Sequence, residues 1–123
     1  MWISKTALFI ALFTALSISS FSFAEKKMQS GSWSVNQSIQ GYSLDSNNGE
    51  RSVTIEIKFI KSFKVKPEII LTVNQLDSSK DFNSRFNVEA ITISRDGFSL
   101  KVNTWADSKI FSISGNWIAV GEQ

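Results

Sequence analysis

Ser52-Val53-Thr54-Ile55-Glu56-Ile57-Lys58-Phe59 places Val53, Ile55, Ile57 and Phe59 on one side of the chain and Thr54, Glu56 and Lys58 on the other. Successive side chains of an extended strand point to opposite faces, so this alternation is that of a strand with one face buried and one in water. The same period recurs on both sides of it, and residues 30–121 contain no stretch with helical spacing. Upstream, residues 31–35 predict a short first strand, followed by a polar loop over residues 36–51 with Ser46-Asn47-Asn48-Gly49 at its tip.

Downstream, Lys61, Lys64 and Lys66 interleave with Phe63 and Val65 before Pro67, the only proline. Lysines and proline keep the edge of a sheet soluble, and basic-aromatic alternation is also a pattern of nucleic-acid binders. Residues 68–76 predict a strand that starts on Ile69-Ile70-Leu71. Residues 86–94 predict another, and its inward parity passes from Phe86, Val88 and Ala90 to Ile91 and Ile93, which implies a bulge near Ala90. Arg95-Asp96-Gly97 reads as a tight hairpin turn with positive backbone angles. Phe98, Leu100 and Val102 then face inward, and a last strand over residues 110–120 carries Phe111, Ile113 and Trp117 on one side. Six short strands with frequent turns predict an all-β fold, a six-stranded antiparallel β-sandwich.

Residues 1–24 read as a signal peptide. Lys5 supplies the positive start, residues 7–18 are almost entirely apolar, and Ser22 and Ala24 are the small residues that a signal peptidase needs. A retained anchor is the other reading, but a spanning helix needs about 20 apolar residues. Cleavage after Ala24 leaves residues 25–123 as one secreted or periplasmic domain, with no membrane partner expected once the signal is removed. Its charge is then close to neutral, twelve basic residues against eleven acidic.

The 123 residues include no cysteine and no histidine. Disulfides, thiolate nucleophiles, sulfur-ligated zinc and imidazole catalysis are therefore excluded. A net charge of +2 is too small to be the footprint of a nucleic-acid binder. Paired carboxylates are the remaining catalytic option, as Asp45 with Glu50 or Asp77 with Asp81. A glycosidase needs two carboxyls roughly 5 to 10 Å apart across a sugar, and these four read as solvated loop acids. No loop spaces its oxygen ligands as a calcium-binding EF-hand does. The expectation is a protein that is no enzyme and holds no cofactor or metal.

Binding has better support. By period two, Trp105 points away from Phe98, Leu100 and Val102, toward solvent or a partner, and the polar turn Ala106-Asp107-Ser108 follows it. An aromatic face beside short polar groups suits a sugar, whose C–H face lies on the ring while hydrogen bonds read its hydroxyls. The same tryptophan equally suits a subunit interface. Arg85, where a loop enters a strand, is a second candidate, though taken alone it reads as an ordinary surface cation. The amides and hydroxyls of residues 46–49 are a third.

Pro67-Glu68-Ile69-Ile70-Leu71, Gln75-Leu76-Asp77, Arg85, Gly97-Phe98, Thr104-Trp105-Ala106-Asp107-Ser108 and Trp117-Ile118-Ala119 follow one another in an order and spacing that resembles the H-type lectin domain. The resemblance covers roughly residues 29–121. It implies a six-stranded sandwich that forms homotrimers, sometimes stacked into homohexamers, and binds galactose or N-acetylgalactosamine without metal in shallow sites between subunits. It places Arg85 on the family's sugar-binding arginine and Trp105 on the tryptophan of the site. Asn48 stands where agglutinins of the family often have an aspartate, and Ala106 where some members have a histidine that contacts the sugar. Asp107, next in the turn, is a partial substitute for that contact. The resulting expectation is a secreted lectin for terminal galactose or N-acetylgalactosamine on glycoconjugates, with Asn48, Arg85, Trp105 and Asp107 at the site. The alternative is a structural or adhesion protein on the same trimeric sandwich with its sugar site lost.

Overall fold

The computed structural model describes residues 25–123, so the expected signal segment lies outside the described residues. Seven strands follow one another: β1 (Lys26–Asn36), β2 (Arg51–Lys58), β3 (Glu68–Leu71), β4 (Gln75–Ser78), β5 (Phe86–Ile91), β6 (Gly97–Thr104) and β7 (Ile110–Glu122). They form two antiparallel sheets. In one, β7 is the spine, with β1 along one edge and β3 then β4 along the other. In the other, β6 lies between β2 and β5. The all-β sandwich is the expected one.

The inner faces follow the alternation of the sequence. Trp33 and Val35 of β1, Phe98, Leu100 and Val102 of β6, and Ile113, Trp117 and Ala119 of β7 are all buried. Val53, Ile55 and Ile57 pack against them from β2. Phe59 and Phe63, just past β2, meet edge to face at 5.1 Å, and Phe59 lies 5.8 Å from Trp117. Aromatic contacts of this geometry contribute about 0.5–1.5 kcal/mol each beyond area burial. With no disulfide available, the cluster closes this end of the core by packing alone.

Four details differ from the sequence expectation. The first strand begins five residues earlier, because Lys26 to Ser30 continue the ladder along β7 to Glu122. The strand expected over residues 68–76 is two strands: Leu71 pairs with Trp117 and Gln75 with Ser114, so three residues of one chain oppose two of the other. This is a bulge, and it brings the Thr72 carbonyl over Gly115. A second irregularity, between Asp77 and Ser78, gives β7 an extra residue. The parity of β7 flips there, so Ile110 is fully buried and Phe111, expected inside, is only half-buried. The β5–β6 register runs unbroken from Phe86 to Ile91 with no bulge at Ala90, and the break comes at Thr92, which has a φ of 51°.

Gly97 also has a different role from the expected turn residue. It opens β6 and has no positive φ. A Cβ there would stand 2.2 Å from the Ile57 carbonyl oxygen, so glycine is required by close approach of the strands.

The loop between β1 and β2 is polar in sequence yet partly folded into the core. Leu44 is fully buried, its carbonyl accepts from the Ile110 amide at 2.8 Å, and the Tyr42 hydroxyl donates to the Ile110 carbonyl at 2.7 Å. Burial, and secondarily the Asp45 charge, push the Tyr42 phenol up to about 12. The folded state thus holds the proton more tightly than the unfolded chain, whose phenol titrates near 10. The stability this gives is intact below pH 10 and is lost as pH rises toward 12. A thermal midpoint that falls in that window for the native protein, and falls less for Tyr42→Phe, is the expected result. Equal alkaline loss in both would remove Tyr42 from the effect.

Candidate functional site

Three segments meet at one end of the sandwich: the loop tip at residues 46–49, the approach to β5 at residues 83–85, and the turn after β6 at residues 105–108. The Gly49 amide donates to the Ala106 carbonyl at 2.9 Å and joins tip to turn. The Arg85 amide donates to the Ser108 hydroxyl at 3.0 Å, that hydroxyl donates to the Asn83 carbonyl, and Thr104 Oγ1 donates to the Arg85 carbonyl. Ser108 and Thr104 are fully buried, so these bonds fix the approach to β5 against the turn.

On this frame Arg85 Nη1 and Asp107 Oδ1 lie 2.8 Å apart, with side chains 33% and 51% exposed. Phe86 pairs with Thr104 on the last rung of the β5–β6 ladder. Arg85 and Trp105 each stand one residue beyond that rung. Trp105 is 38% exposed and, with Glu50, Phe86, Asn87 and Asn103, lines a shallow depression. Asn48 is exposed at the tip, and its Oδ1 accepts from Lys109 Nζ at 2.8 Å. Lys109 also bonds the Asn47 carbonyl and lies 5.5 Å from the Phe82 ring centroid. The amide NH₂ of Asn48 is left as its donor toward a ligand.

Of the four residues singled out in the sequence, Arg85 and Asp107 are in direct contact, and Trp105 is joined to them by chain and by register. Asn48 belongs to the tip that is bonded to the same turn. Asp45 accepts from Gln37 Nε2 at 2.7 Å, which ties it into its own loop.

The residue the sequence reading missed is Arg51. It is buried and donates to four carbonyls: Gly49 through Nε, Ser46 and Ser108 through Nη1 at 2.9 Å each, and Ala106 through Nη2 at 3.0 Å. One guanidinium thus holds both the tip and the turn. Asn47 and Ala106 lie in the left-handed region, at φ 63° and 56°. For alanine this costs on the order of 1–2 kcal/mol, so the turn carries strain that the Arg51 bonds offset. The signal was present: Arg51 has the parity of Val53, Ile55 and Ile57. An arginine in line with core residues must find buried acceptors. Lys109 and Ser108 had no such signature.

The arrangement defines a small β-sandwich binding module, with a cation–carboxylate pair and an exposed indole on a rigid rim. The chain belongs to the H-type lectin domain family, whose model matches residues 54–120 and so includes Arg85, Trp105 and Asp107. It is 30% identical over 77 residues to a discoidin-1 polypeptide of Dictyostelium discoideum, across 62% of this chain and 30% of that one. It is 27% identical over 81 residues to open reading frame 7 of the ATP synthase subunits region of Fuscovulum blasticum, across 66% of this chain and 70% of that one. In three dimensions it resembles discoidin II of Dictyostelium discoideum with a TM-score of 0.72 at 22% identity, over 84% of this chain and 40% of that one. The chain thus spans well under half of either discoidin. Family and fold together point to a carbohydrate-binding lectin without enzymatic activity.

Proposed function

We propose that this protein is a secreted or periplasmic lectin that binds terminal galactose or N-acetylgalactosamine at the rim formed by Arg85, Trp105, Asp107 and Asn48. The observation that supports this most is the Arg85–Asp107 pair, whose carboxylate sits in the same turn as the exposed Trp105, in a chain of the H-type lectin domain family. Asp107 orients the guanidinium and keeps an oxygen for sugar hydroxyls, while the remaining Arg85 N–H groups donate to sugar oxygens. Trp105 covers the apolar face of the ring. Asn48 offers a neutral donor where a carboxylate would accept a charge-assisted bond about twice as strong. The rim is shallow, so a single site binds weakly. Homotrimers or stacked homohexamers, with neighbouring subunits completing each site, raise avidity by about 10²–10⁴ on a matching glycan surface and make the protein an adhesion molecule.

One observation favours a second reading, an assembly or adhesion protein whose sugar site is lost. One acceptor position of Asn48 Oδ1 is already used by Lys109, and one N–H of Arg85 by Asp107. Calorimetric titration with galactose and N-acetylgalactosamine separates the two. Arg85→Ala is expected to weaken binding at least tenfold, since hydrogen bonds to charged groups are each worth about 1.5–3 kcal/mol. Its thermal midpoint and molecular mass should not change. Binding unaffected by the substitution would remove Arg85 from the site, and no sugar binding by the native protein would favour the second reading.

A further inference from the structure

We propose that the opposite end of the sandwich, built on the loop from Ile60 to Pro67, docks onto an anionic phospholipid membrane. The loop is anchored from within. Phe63 is fully buried in the aromatic cluster, and its carbonyl accepts from Arg95 Nε at 2.9 Å. Gln29 holds the Ile60 amide and the Lys61 carbonyl, Gln123 Nε2 also bonds the Lys61 carbonyl, and the Lys64 amide donates to the Glu122 carbonyl at 2.7 Å. A backbone fixed so thoroughly nevertheless presents Ile60 at 97% exposure and Val65 at 52%. Lys58, Lys61, Lys64 and Lys66 surround them, all exposed.

Charge is divided along the molecule. The segments that reach this end (residues 25–27, 58–68, 92–97 and 121–123) carry seven basic and four acidic residues. The rest of the described chain carries five basic and seven acidic. Glu25 pairs with Lys27, one acid and one base of this end, so the excess of three basic residues remains. Exposed aliphatic side chains ringed by lysines suit a bilayer surface, where the apolar groups enter the headgroup boundary and the ammonium groups meet lipid phosphates. A nucleic acid fits less well, because single strands are held by stacking on exposed rings and the one ring of this basic-aromatic stretch, Phe63, faces the core. Contact of this kind is peripheral and needs no spanning segment, and it departs from the expectation of an exported domain with no membrane partner. It would leave the Arg85–Trp105 rim facing away from the bilayer.

The test is co-sedimentation of the exported protein with phosphatidylcholine vesicles, with and without phosphatidylglycerol at roughly one lipid in three. The native protein is expected to sediment with the anionic vesicles only, and less as salt screens the lysines. A juxtamembrane lysine is worth roughly fivefold in partitioning, so the triple variant Lys61→Glu, Lys64→Glu, Lys66→Glu should lose about 100-fold or more. Ile60→Ser with Val65→Ser should lose about tenfold, from apolar area no longer buried. These side chains are exposed, so both variants should keep the native thermal midpoint. Equal sedimentation of the triple variant, equal binding to uncharged vesicles, no sedimentation at all, or tighter capture of a single-stranded DNA oligonucleotide than of vesicles would each overturn the proposal.

Discussion

Arg51→Met is expected to lower the thermal midpoint by roughly 15 to 30 °C and to weaken sugar binding in the molecules that remain folded. The side chain is buried and bonds four carbonyls from two loops. Methionine fills much of the volume but makes none of these bonds. Each bond to a charged donor contributes about 1.5–3 kcal/mol, partly offset by the desolvation that a buried guanidinium no longer bears. A net loss of about 3–5 kcal/mol follows, and in a domain of about 100 residues each kcal/mol moves the midpoint by about 4–8 °C. The left-handed Ala106 would then relax, and with it the positions of Trp105 and Asp107. Arg51→Lys should fall between, because a single ammonium cannot reach all four acceptors. Circular dichroism melts of the three proteins, followed by titration with sugar, check this. A midpoint within a few degrees of native for Arg51→Met would mean that the loops hold themselves.

Gly115→Ala is expected to prevent stable folding. A Cβ at this position would lie 1.7 Å from the Thr72 carbonyl oxygen and 2.6 Å from its carbon. The obstacle is backbone, pinned on both sides: the Thr72 amide donates to Asn116 and the Asn74 amide to Ser114. Relief requires β3 and β4 to lift off β7, which opens the sheet over Trp33 and Trp117. A small globular domain has only about 5–15 kcal/mol of stability, and a loss of about 4 kcal/mol or more is within reach of such a clash. Gly41→Ala is the informative contrast. Its φ is +79° but nothing lies within 4 Å of the added carbon, so only the left-handed penalty of about 1–2 kcal/mol applies. Soluble yield and the denaturant midpoint of the two variants should therefore differ widely. Similar values would place the bulge somewhere other than over Gly115.

How much of this was legible in the sequence depended on whether a feature is local. The alternations in β2 and β6 gave the sandwich, its inner faces and the outward Trp105, because period two is a property of each strand alone. Bulges are not local. One residue inserted opposite β7 separates β3 from β4, and another exchanges Ile110 for Phe111 in the core, yet no residue type announces either. Gly97 carried a turn-like sequence, but the partner strand that demands glycine lies some 40 positions away at Ile57. The Arg85–Asp107 pair is 22 positions apart in sequence and was visible only as two separate candidates. Arg51 was legible and went unread, since its parity alone set a cation among core positions.

The two ends of the molecule thus have distinct chemistry. One is a rim of polar side chains fixed by Arg51 around an indole, and the other is a lysine-ringed aliphatic surface fixed by Phe63. The central claim is that the rim holds a sugar. It is tested most directly by a glycan array probed with residues 25–123, their fold checked by circular dichroism and their assembly by light scattering. Binding confined to glycans that end in galactose or N-acetylgalactosamine is the expected result. A blank array from protein that is folded and oligomeric would contradict it and leave the sandwich as a scaffold without a sugar site.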